Sequence, residues 1–133
     1  MTRFVIDAPA AIELARSEAQ LPDEHRLVAP SLLRSQVLDR LYRASRGGEL
    51  TSAEGRRLLE RFAGMPIRLL GDRVSRSTAW KIAERLGWDD TADAEYLAVT
   101  QLQADALIAL DPDLAQRAAG VVPLATISQL RAD

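Results

Sequence analysis

The chain has 133 residues, with 17 basic and 19 acidic side chains and a formal net charge of -2, so no global basic field draws it to nucleic acid or membrane and any anion site must be local. With 47% hydrophobic, 27% charged and only 5% aromatic residues, it reads as one ordered globular domain, 1–133, whose core is leucine, alanine, valine and isoleucine rather than as a disordered segment. The lack of cysteine excludes a disulfide framework, a thiol nucleophile and a thiolate metal site, and the absence of any long uninterrupted apolar run makes the cytoplasm the expected compartment and a membrane span unexpected.

In chain order, RFVI at 3–6 is a short β-rich run, and APAAIELARSEAQ from Ala8 follows with helical spacing through Ile12, Ala15 and Ala19. A polar segment, QLPDEHR at 20–26, precedes the brief apolar run LVAP at 27–30. SLLRSQVLDRLYRASR at 31–46 repeats apolar residues at helical intervals until Gly47-Gly48. Thr51 and Glu54 form a capping box for a helix through Phe62, closed by Gly64 and Pro66, and PIRLL at 66–70 is a second strand candidate. A helix over 72–87 has an aspartate start, an apolar stripe of Val74, Ala79, Ile82 and Leu86, and a glycine stop. Another helix is predicted from about Thr91 to Gln103, then a buried strand at 104–110, a short helix from Asp111 with Pro112 at its first position, and a last short strand, VVPLA, at 121–125. Short strands alternating with helices imply an α/β fold, a parallel sheet with helices on both faces and right-handed connections.

In such a sheet, ligands bind beyond the carboxyl ends of the strands, where strand order reverses. Asp7 ends the first strand, Asp111 follows the ALIAL strand, and Asp93 begins the helix that leads to it, so all three acids can reach one edge. Taken singly, each is also a good helix-capping or first-turn residue. Together they repel one another unless a pKa rises or a divalent cation binds, and hard oxygen donors suit magnesium or manganese.

VID at the first strand end, APSLLRSQVL at the second helix, TADAEYLAV and LIALDPDLA resemble the PIN-domain fold, in particular the VapC-type toxin ribonucleases of toxin-antitoxin modules, over nearly the whole chain. The resemblance implies a three-layer domain and a metal-dependent endoribonuclease, with Asp7, Asp93 and Asp111 as catalytic and metal-holding acids for Mg2+ or Mn2+. It further implies an RNA substrate, a small antitoxin partner and a homodimer. Gln36 stands where the family has glutamate; it keeps a ligating oxygen but loses the charge that attracts a cation and cannot act as a base. Ala92 and Ala109 stand where an aromatic and a hydroxyl residue often occur in the family. These departures leave open a second reading, a non-catalytic PIN-fold module that binds RNA or a protein partner.

Gln36, Arg40 and Arg43 share one helix face, where the arginines either hold RNA phosphates or form a solvated surface whose stems cover apolar area. Trp80 and Trp88 read as core or dimer contacts before base-stacking platforms. His25, the one histidine, falls in a polar loop and receives no catalytic role. Proline at position 9 argues against an aspartyl-phosphate phosphatase, Lys81 in mid-helix argues against a receiver domain, and the chain lacks a glycine-rich phosphate loop.

Overall fold

The computed structural model describes residues 1–18 and 21–131. Strand β1 (Thr2–Ile6) buries Phe4, Val5 and Ile6 in succession, and β2 (His25–Pro30) does the same from Leu27 onward. Unbroken burial of this kind is what a parallel strand covered on both faces requires. With β3 (Ile67–Leu70) and β4 (Ala106–Ile108), they form a four-stranded sheet in the order β3-β2-β1-β4, every pairing parallel.

Seven helices accompany the described sheet: α1 (Ala8–Ser17), α2 (Leu32–Arg46), α3 (Ser52–Ala63), α4 (Arg73–Leu86), α5 (Ala92–Gln103), α6 (Pro112–Ala118) and α7 (Ser128–Arg131). The chain moves outward from β1 to β3, then crosses back to place β4 on the other side of β1. Right-handed crossovers in opposite directions put α1 to α3, which pack on one another, on one face and the α4/α5 pair on the other. The switch point therefore lies between β1 and β4. Helix α5 contacts β1, β2 and β4 and is buried along most of its length, which explains its lack of a polar face.

Local chemistry matches several expected boundaries. The capping box at Thr51 and Glu54 is complete, Asp72 caps α4 through the Ser75 N–H, and Gly87 ends α4 with φ 73, a left-handed conformation that glycine adopts without a Cβ penalty. Other expectations require correction. His25 belongs to β2, not to a loop, because backbone pairing with Thr2 begins before the apolar run. Its ring meets Phe4 edge-on with centroids 5.3 Å apart, and both ring nitrogens lack hydrogen-bond partners. VVPLA forms no strand: it makes one isolated bridge, Leu124 with Leu107, since Pro123 has no N–H and the Val121 and Val122 amides turn back to the Ala118 carbonyl. On α4 the inward face runs through Ser75, Ala79, Ile82 and Ala83, leaving Val74 and Leu86 exposed. Ala19, to which the helical spacing of α1 extends, lies outside the described residues.

Helix α2 is seated by Leu33, Val37 and Leu41, the stripe expected from the sequence. Leu33 is fully buried, so Leu33→Ala should cost about 2–5 kcal/mol, the range for a leucine cavity that the surroundings refill only in part. Chemical denaturation should show a lower midpoint with an unchanged slope.

Candidate functional site

Asp7 immediately follows β1 and is the N-cap of α1; its Oδ1 accepts from the Ala10 N–H at 3.0 Å. Its Oδ2 accepts from the Asp111 N–H at 2.9 Å, across the switch point. Asp111 itself caps α6, accepting from the Asp113 N–H, with Pro112 next in line. Asp93 lies in the first turn of α5, and Gln36 projects from the second turn of α2. Four elements thus bring Asp7, Gln36, Asp93 and Asp111 to one cavity of about 500 Å³. Arg40 and Arg43 line it too, one and two turns along α2 from Gln36. The two readings of the acids, cap and site, both hold for Asp7 and Asp111.

The electrostatics differ from acid to acid. Asp7 is 2% exposed, and burial pushes its carboxyl above the ordinary aspartate value, with the hydrogen bonds from Asp111 and Ala10 and the charge of Asp111 as lesser influences of mixed sign. Asp93 is raised by the same desolvation, opposed by the Arg117 guanidinium, which donates to its Oδ2 at 3.1 Å. Asp111 stands 3.6 Å from Arg40, and Arg43 pairs with Asp39 at 2.9 Å on an exposed surface where such pairs contribute little. The Tyr96 hydroxyl, kept protonated by burial, donates to Gln36 Oε1 at 2.5 Å.

In kind, three carboxylates and an amide oxygen suit a hard divalent cation, and Asp7 supplies a buried carboxylate with which no basic side chain among the described residues pairs. In spacing the set is open: among the described residues, no three acidic or histidine side chains are grouped to hold an ion, and Asp93 and Asp111 face guanidiniums instead.

Sequence reasoning missed Tyr96 and Arg117. Tyr96 follows Asp93 by three positions, a helical interval that aims both at the same cavity, so its place was open to inference. Arg117 carried no local signal. The cavity also takes Asp39 and Glu49 at its lining, whereas Trp80, Trp88 and His25 are absent from it. Trp80 is 66% exposed and so is not core, while Trp88 packs partly against the core.

No family model and no curated protein matches the chain. Among solved structures it is similar to the crystal structure of PAE2754 from Pyrobaculum aerophilum, with a TM-score of 0.75 at 21% identity, over 97% of this chain and 92% of that one. At that identity the likeness establishes a shared α/β architecture and carries no activity with it. No helix among the described residues is long and apolar enough to cross a membrane.

A carboxyl whose folded pKa is raised stabilises the fold below its unfolded pKa and loses that contribution as pH rises through the folded value. In chelator-containing buffer, Asp7→Asn should therefore flatten the pH dependence of stability: as pH rises from the ordinary aspartate range through the raised folded value of Asp7, the wild type should lose melting temperature relative to the variant. Thermal melts at a series of pH values check this, and parallel curves for the two proteins would contradict it.

Proposed function

We propose that the protein is a PIN-type endoribonuclease that works with Mg2+ or Mn2+, the toxin component of a toxin-antitoxin pair. The observation that carries the reading is the meeting of Asp7, Gln36, Asp93 and Asp111, from four separate elements, in one cavity at the β1/β4 switch point. Asp7, Asp93 and Asp111 would hold the ion, with Gln36 as a neutral fourth donor. Such an ion supplies an activated water and neutralises charge on a scissile phosphate.

The remaining work falls to the chain's own side chains. Asp7 is fixed by two backbone N–H groups, so its carboxylate is oriented before anything binds. Tyr96 sets the rotamer of Gln36 by donating to its carbonyl oxygen. Arg40 and Arg43, on the α2 side of the cavity, are placed to receive RNA phosphates. An antitoxin, or a second copy of the chain, has exposed apolar residues to cover on α2, Leu38 and Tyr42 one turn apart, on a face outside the cavity lining.

The second reading, a non-catalytic module of the same fold that binds RNA or a protein, is favoured by the Gln36 pairing. One lone pair of the only oxygen at that position is already used by Tyr96, and no charge is available there.

Cleavage of a structured RNA with manganese separates the two. In the nuclease, Asp93→Asn should reduce cleavage by about two orders of magnitude or more with the fold unchanged, and Gln36→Glu should tighten manganese binding and speed cleavage. Absence of cleavage in the wild type and in Gln36→Glu alike, with RNA or partner binding intact, would establish the binding module instead.

A further inference from the structure

Arg117 is held by three groups at once. Its guanidinium lies 4.7 Å over the centroid of the Trp88 ring, donates to Asp93 Oδ2 at 3.1 Å, and stands 3.9 Å from Asp90 Oδ1. A planar guanidinium can stack on an indole by its face while donating from its edge, which a lysine ammonium cannot do. Trp88 is itself anchored, partly buried against the core just beyond the αL cap at Gly87, with its backbone N–H donating to the Ala83 carbonyl. Arg40 offers a contrast: its contact with Asp111 is longer, 3.6 Å, its side chain is more exposed, and no aromatic ring among the described residues stacks on it.

The cavity it serves is acidic. Among its lining residues are five carboxylates and two arginines, and Arg117, which donates to Asp93, is not in that lining. It therefore withdraws one of the two Asp93 oxygens and cancels one unit of charge without filling the cavity. We infer that Arg117, clamped on Trp88, is a built-in counter-ion of Asp93 that sets how strongly the cavity takes up a divalent cation. The inference rests on the proposed metal site and adds to it a positioning residue: Arg117 touches neither ion nor substrate and acts through Asp93. With Gln36 already lacking a charge, the clamp makes this a deliberately weak cation site, one that fills at high ion concentration or when a ligand brings further negative charge.

The test is direct manganese titration of the intact chain, counting free Mn2+ by electron paramagnetic resonance, so that no cleavage assay enters. Arg117→Gln should bind manganese about tenfold more tightly, the size expected when one positive charge several ångströms from a divalent ion is removed from a partly solvated site. Arg117→Lys keeps the charge and should stay within about twofold of the wild type, which separates charge compensation from packing. Without metal, Arg117→Gln should melt lower than wild type and recover on adding manganese. Should the glutamine variant be too unstable to titrate, Arg117→Met keeps an apolar stem on Trp88 and should show the same tightening. Unchanged or weaker binding in the charge-removing variants, with Asp7→Asn abolishing binding, would overturn the counter-ion role alone. Absence of manganese binding in every form would overturn the metal site and the counter-ion role together.

Discussion

The Asp7 carboxylate is the constraint on which the rest of this site depends. One oxygen takes the Ala10 N–H and starts α1; the other takes the Asp111 N–H and fixes the chain as it leaves β4 for α6. One buried acid thus joins the two strands that flank the switch point. Hydrogen bonds to a charged group are worth about 1.5–3 kcal/mol each, while withdrawing a carboxylate from water costs several kcal/mol. Burial pushes its pKa upward, desolvation standing ahead of the backbone hydrogen bonds that lower it. The position is therefore held ready for a proton or a cation, and no packed apolar residue would have produced the same geometry.

Around that acid the protein distributes compensation unevenly. Asp111 has a loosely held arginine from α2, Asp93 a firmly held one from α6, and Asp7 none among the described residues. Desolvation raises the Asp7 carboxyl and, against the Arg117 guanidinium, the Asp93 carboxyl. Pairing two of the three acids with guanidiniums offsets their repulsion and would compete with a cation at the proposed site, so that there the stability of the fold and the affinity for an ion would oppose each other. Gln36 moves the balance further in the same direction by removing a fourth charge, and the Tyr96 hydroxyl then satisfies its oxygen within the protein.

The architecture shared with PAE2754 leaves the chemistry open, since an α/β sheet of this order positions ligands at its switch point whatever they are. Between the proposed nuclease and the proposed binding module the difference would be a matter of a few atoms: whether the oxygens of Asp93 and Gln36 are released to the cavity or remain bound to Arg117 and Tyr96. Both competing bonds come from side chains on or beside α5 and α6, the elements next to the switch point.

The sequence by itself determined the elements whose signals are local. Helical periodicity gave α2 its buried stripe of Leu33, Val37 and Leu41, capping residues located the starts of α3 and α4, and alternation of strands with helices gave the parallel sheet that brings Asp7 and Asp111 to one edge. The same local signals misplaced the start of β2, made a strand of VVPLA and turned Val74 and Leu86 inward, because backbone pairing and helix orientation answer to neighbours rather than to composition. Tertiary structure alone decided the pairing of Tyr96 with Gln36 across 60 residues and of Arg117 with Asp93 across 24. Those contacts depend on how α5 packs against its neighbours to within an ångström or so, and a side chain's polarity or spacing in the sequence holds no record of that distance.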